Sequence, residues 1–152
     1  MPGAGKSSVG VILAKVLGYE FIDTDLVIQH REKRLLREII ADEGNEGFLA
    51  IENEVNATLE ANKSVIAPGG SAIYGKEAME HFKEIGTIVY LKLSYEDLAK
   101  RLGNLKGRGV VLKEGQTLKD LYDERSKLYE QYAESGRDIK GTILALREQI
   151  GM

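Results

Sequence analysis

Three short apolar runs, each separated from the next by residues at helical spacing, restrict this chain more than any single motif does. "YEFID" (19–23), "SVIAPGG" (64–70) and "TIVYLKL" (87–93) read as strands. Before and between them apolar residues recur at helical intervals. Val9, Ile12, Ala14, Val16 and Leu17 precede a stop at Gly18, and Phe48, Ile51, Val55 and Leu59 follow Asn45, the expected cap of that helix. Strands alternating with helices predict an α/β layered fold with a parallel sheet. Right-handed crossovers align the C-terminal strand ends along one edge, where ligands of such folds collect. Gly3–Ser8, Asp23–Asp25 and Pro68–Ser71 all fall at that edge. Further helices are expected over 25–44 with a break near 33–35, over Lys76–Glu84, from Ser94 to Gly103, and over 117–133 and 138–149. Residues 104–116 read as a glycine-punctuated loop rich in charge.

Composition narrows the function classes. The 152 residues suit a single domain with a sizeable core. A net charge of −3 with 30% charged residues argues against a cationic nucleic-acid binder. The absence of cysteine removes disulfides and Cys-based zinc or redox sites. No apolar run reaches the roughly 18 residues of a membrane span, and residues 1–8 do not make a signal peptide. A soluble cytoplasmic protein, with no nucleic-acid or membrane partner, is the expectation.

In "GAGKSS" (3–8), small residues directly before a helix let backbone N–H groups wrap a phosphate at the positive end of the helix dipole. In the pattern G-x-x-x-x-G-K-[ST], Lys6 reaches the β/γ-phosphates of ATP and the Ser7 hydroxyl holds Mg²⁺. Gly3, Ala4, Gly5, Lys6, Ser7 and Ser8 are therefore candidate nucleotide contacts. The first glycine of the pattern would fall one position ahead of Met1, and the strand that should lead into it has no room. The bland alternative is a glycine-rich tail followed by a helix.

Asp23 and Asp25 end a strand on one side of it. One can position Mg²⁺, and the other can orient and partly deprotonate an acceptor hydroxyl. The alternative is an N-cap pair for the next helix. Gly69 and Gly70 let a small ligand approach backbone amides, or form a plain turn. Arg125 sits in the middle of the stripe Leu118, Leu121, Tyr122, Leu128, Tyr129 and Tyr132. A guanidinium on a core face needs a partner, either a structural acid or a ligand carboxylate or phosphate. The tyrosines of that stripe read as core packing. Arg108 stands in the 104–116 loop, which could close as a lid, or it is a solvated loop arginine. Arg101 is explained by helix-dipole complementarity. His30 and His81 read as surface residues.

In their order along the chain, "GAGKSS", "FIDTD", "FLAIE", "PGGSAI", "RLGNLKGRGVVL" and "ERSKLYEQYA" resemble a shikimate kinase nearly end to end. The resemblance implies a three-layer α/β/α P-loop kinase fold, residues 1–152 as one domain, and 104–116 as its lid. It implies ATP-dependent phosphorylation of a small-molecule hydroxyl, from shikimate to shikimate 3-phosphate in the aromatic amino acid pathway. By the same resemblance Lys6 and Ser7 serve ATP and Mg²⁺, Asp23 sits near the metal, and Asp25 holds the acceptor hydroxyl. Gly69 and Gly70 line the acceptor pocket, Arg101 lies against adenine, Arg108 is the lid arginine, and Arg125 takes the acceptor carboxylate. The chain departs from the pattern at Leu49, where the family has an arginine that grips the carboxylate, at Ser71 in place of a third glycine, and at "RGVV" in the lid. A charge-assisted hydrogen bond is worth about 1.5–3 kcal/mol, so one lost donor group costs roughly ten- to a hundredfold in binding. A kinase for another acceptor, or a non-catalytic nucleotide-binding protein, is the alternative. Against the family's pattern the first, central strand and the last strand are expected to be missing. The gap is expected between the second and third strands seen here, all three of them parallel. A monomer is expected of an intact domain, and association through exposed edges of a truncated one.

Overall fold

The computed structural model describes residues 6–92, 94–96, 99–100, 115–132 and 135–138, with side chains for all of these except 6–8, 91–92 and 135–138. Helix α1 (Lys6–Leu17) closes at Gly18, whose φ of 68° lies in the left-handed region that glycine adopts without strain. Tyr19 N–H then bonds back to the Ala14 carbonyl at 2.8 Å. Strand β1 (Glu20–Asp23) runs directly into α2 (Thr24–Glu32). Lys33, left-handed at φ 54°, ends α2 within the break expected near 33–35. The next helix, α3 (Leu36–Ala57), begins with Glu38 Oε2 accepting from Leu35 N–H at 3.1 Å.

The stretch Leu36–Ala57 is two helical segments that meet at Gly44, whose φ of 72° and ψ of 177° are not helical, so the second segment begins beside Asn45, where the sequence places its start. Strand β2 (Ser64–Ala67), a 3-10 helix (Gly70–Tyr74), α4 (Lys76–Ile85), β3 (Val89–Lys92) and α5 (Leu118–Tyr132) follow. Of the helix expected from Ser94 to Gly103, residues 95–96 and 99–100 are helical and the rest lies outside the described residues.

The last strand is not missing, which corrects the sequence reading. Ser135–Asp138 forms β4, parallel to β3 in the register Val89↔Ser135 to Lys92↔Asp138. The run "SGRD" carries no apolar alternation, so its strand character comes from backbone pairing with β3 and not from its side chains. The expected 138–149 helix otherwise lies outside the described residues.

β1 and β2 pair in parallel from Glu20↔Ser64 to Asp23↔Ala67. β2 and β3 are not paired with each other, so the gap falls where the sequence placed it. Between them lies an apolar cavity of about 160 Å³, lined by Val65 and Ile66 of β2, Val89 and Tyr90 of β3, and Val9 and Leu13 of α1. α1 rests on the β1–β2 side through Gly10. A Cβ there would stand 2.7 Å from Phe21 Cε2 and 3.5 Å from Val65 Cγ1. Among the described residues two core clusters stand out. Ile28, Ile39, Phe48 and Val55 join α2 to α3. Ile73, Met79 and Phe82 join the 3-10 helix to α4, with Ile66, Ile88, Leu128 and Tyr132 packed against them. Each fully buried large apolar side chain contributes about 1.5–3 kcal/mol.

Candidate active site

The parallel register sets the C-terminal ends of β1 and β2 side by side, with Asp23 opposite Ala67. Asp23 caps α2, its Oδ1 accepting from Asp25 N–H at 3.0 Å, so the capping alternative holds for this residue. Asp25 sits in the first turn of α2 near the positive end of its dipole. The turn after β2 comes up against it. A Cβ at Gly69 would meet Asp25 Oδ1 at 3.0 Å and Glu52 Oε2 at 3.1 Å. Glycine at 69 thus lets two carboxylates close on the turn.

Glu52 is the residue the sequence reading quoted in "FLAIE" and gave no role. It is 1% exposed, and its Oε1 accepts a 2.7 Å hydrogen bond from Ser71 Oγ. The signal was present: Glu52 follows Phe48 by four positions and precedes Val55 by three, on the buried face of α3. An acid on an apolar stripe asks for an explanation as Arg125 does. Leu49, three residues before Glu52, is partly buried against the Ile28–Phe48 cluster.

Arg125 is 1% exposed, and the partners that the described residues offer it are two phenols, Tyr74 and Tyr129. Its Nε donates to Tyr74 Oη at a long 3.4 Å, and its guanidinium carbon stands 5.4 Å from the Tyr74 ring centroid. Among the described residues no carboxylate lies within ion-pair distance of it. Burial pushes the Tyr74 phenol above its ordinary range, and the Arg125 hydrogen bond and charge work against that push. One turn further along α5, the Tyr129 hydroxyl donates to the Gly70 carbonyl, and its ring stacks on Tyr90 with centroids 5.0 Å apart. Burial holds the Tyr129 phenol far above its usual range, so it keeps the proton it donates. Tyr129 thus adds a hydrogen bond to the core packing that the sequence predicts for it.

Asp25, Gly69, Gly70 and Arg125 therefore converge on the 3-10 helix that follows β2. Lys6, Ser7 and Ser8 form the first turn of α1, where no acidic residue opposes a phosphate. Gly3–Gly5, Arg101 and Arg108 lie outside the described residues. His30 is exposed as expected, but the Nε2 atom of the partly buried His81 lies 2.6 Å from the Leu59 carbonyl, tying α4 to the end of α3. Among the described residues no cluster of three or more acids and histidines could hold a metal unaided, and no helix is long and apolar enough to cross a membrane.

A family model described as shikimate kinase matches residues 2–145. The chain is 34% identical to "Shikimate kinase 2" of Yersinia pseudotuberculosis serotype O:3, over 97% of this chain and 88% of that protein. It is 35% identical to the protein of the same name from Yersinia enterocolitica, with the same coverage. Among solved structures, shikimate kinase from Acinetobacter baumannii in complex with shikimate superposes with a TM-score of 0.77 at 34% identity, covering 88% of this chain and 76% of that one. The Aquifex aeolicus shikimate kinase gives 0.75 at 27% identity, covering 100% and 95%.

Proposed function

The chain belongs to the shikimate kinase family, and on that premise we propose that it transfers the γ-phosphoryl group of ATP to a hydroxyl of shikimate, giving shikimate 3-phosphate. The observation that carries the acceptor's chemistry is Arg125: a buried guanidinium whose partners are neutral phenols, beside a turn that faces two carboxylates. An unpaired buried cation is expensive, so the site suits an anionic acceptor that supplies the missing charge.

In this reading residues 1–152 act as one domain with 104–116 as its lid. Gly3–Ser8 wrap the phosphates, Lys6 reaches the β/γ-phosphates, and Arg101 lies against adenine. Ser7 and Asp23 hold Mg²⁺. Asp23 suits that task because its Oδ1 is engaged with Asp25 N–H, which fixes the carboxylate's orientation. When bound, the metal neutralises charge on the phosphate oxygens. Asp25 orients the acceptor hydroxyl and accepts its proton as the oxygen attacks in line. Gly69 and Gly70 line the acceptor's pocket, and Arg125 grips its carboxylate by paired N–H donors. Arg108 brings positive charge to the transferring phosphoryl group from the lid.

A coupled assay of ADP formation with Mg-ATP and shikimate tests the proposal. Turnover that requires Asp25 supports it. ATP bound without turnover of shikimate overturns the acceptor assignment. A second reading, a kinase for an acceptor that depends less on a carboxylate, is favoured by Leu49 standing where the family has an arginine. A panel of small hydroxy acids and sugars in the same assay separates the two.

A further inference from the structure

The segment from Gly69 to Gly75 is held at several points. Ala72 N–H bonds to the Gly69 carbonyl at 3.1 Å and Gly75 N–H to the Ala72 carbonyl at 3.0 Å. Ser71 is tied to Glu52 and Gly70 to Tyr129. Beyond it, Gly75 is pressed against the Asn53 side chain, so closely that a Cβ there would overlap its amide. Tyr74 is therefore fixed relative to the glycine turn. Its hydroxyl is also the group that takes the Nε hydrogen of Arg125.

A guanidinium presents its donors as a rigid planar fork. Once Nε is engaged, the plane can no longer rotate freely about the side chain, and beside the contact with Tyr129 terminal N–H donors remain for a planar anion. We propose that Tyr74 is a positioning residue for Arg125, aligning that fork with a carboxylate on the acceptor. The inference rests on the proposed kinase reading and adds to it a residue outside the motifs that carry the family resemblance.

The test compares Tyr74→Phe with the unaltered protein, using shikimate and its methyl ester, which lacks the charged carboxylate. The ring and its packing are kept, so only the hydroxyl is removed. The expected result is a KM for shikimate raised about tenfold, the size of one hydrogen bond to a charged group. kcat, the KM for ATP and the melting temperature should stay within narrow limits, and the ester's binding should not change. A double-mutant cycle on shikimate affinity, with Arg125→Lys, should show the Tyr74→Phe effect largely absent in the lysine background. Equal losses for acid and ester, additive effects in the cycle, or an unchanged KM for shikimate overturn the Tyr74 role while the kinase stands. An unaltered protein that does not phosphorylate shikimate overturns the function itself, and this role with it.

Discussion

Ser71 Oγ donates a 2.7 Å hydrogen bond to Oε1 of Glu52, and both side chains are buried, at 8% and 1% exposure. Hydroxyl and acid hold the 3-10 helix after β2 against α3. Ser71 thereby gives a physical role to a position where the sequence departs from the glycine triplet. Ser71→Ala should lower stability by about 1–3 kcal/mol, because it takes a donor from a buried carboxylate. Thermal melting should show it, at roughly 2–4 °C per kcal/mol for a domain of this size. An unchanged melting temperature would mean that Glu52 finds an equal donor elsewhere.

Gly69→Ala should behave differently. Its Cβ would crowd Asp25 Oδ1 at 3.0 Å and Glu52 Oε2 at 3.1 Å, so both must retreat by a few tenths of an ångström. Misplacing a catalytic group by that order is costly to rate and cheap in stability. The expected outcome is a kcat reduced about tenfold or more with only a small change in melting temperature. A variant with normal kcat would remove Asp25 from the reaction.

The two aspartates of "FIDTD" should separate by the same pair of measurements. Asp23→Ala removes the cap of α2 and should cost about 1 kcal/mol of stability, and because Asp23 is a proposed Mg²⁺ ligand it should lower activity too. Asp25→Asn keeps the shape and loses the base, and should lower kcat by about 10²-fold or more while the fold holds. Comparable activity in Asp25→Asn and the unaltered protein is the outcome that removes Asp25 as the base.

Leu49→Arg asks whether the acceptor pocket answers to a second cation. Leu49 packs against the Ile28–Phe48 cluster, so the change should cost about 1–3 kcal/mol of stability. It should lower the KM for shikimate roughly ten- to a hundredfold if the acceptor's carboxylate lies within its reach. No change in KM argues for a different acceptor.

Gly10→Ala probes how α1 rests on the β1–β2 pair. A methyl there would overlap Phe21 Cε2, at 2.7 Å. Overpacking of this kind costs about 1–3 kcal/mol, and calorimetry should record a lower melting temperature. A melting temperature at or above that of the unaltered protein would show that Phe21 swings aside freely.

Much of this arrangement was legible in the residues. The alternation of strand and helix follows from hydrophobic periodicity, and the gap between β2 and β3 from what the resemblance implies about the central strand. The same periodicity exposed Arg125, since a guanidinium on an apolar stripe is a conflict that only a partner resolves. Glu52 poses the same conflict on α3, and its partner Ser71 lies 19 residues away, beyond the reach of local spacing. β4 could not be read at all: "SGRD" is a strand by virtue of its neighbour's unpaired backbone, and no side-chain pattern encodes that. Tyr74 and Tyr129 act through hydroxyls whose partners lie 51 and 59 residues away in sequence. Local spacing carries no trace of such contacts.

The unpaired β2 and β3 have one more consequence. Among the described residues the β1–β2 and β3–β4 ladders share no backbone bond, so only side chains lock one to the other. A molecule built this way opens in two steps, and its amide protons should exchange with solvent as two populations, one per ladder. Asp25 and Gly69 belong to the first half, and α5, which bears Arg125, bridges to the second, its Tyr129 bonded to the Gly70 carbonyl and stacked on Tyr90 of β3. An acceptor gripped from both sides acts as a rivet. Its binding should merge the two exchange regimes into one, slowing exchange along β3 and β4 from a distance.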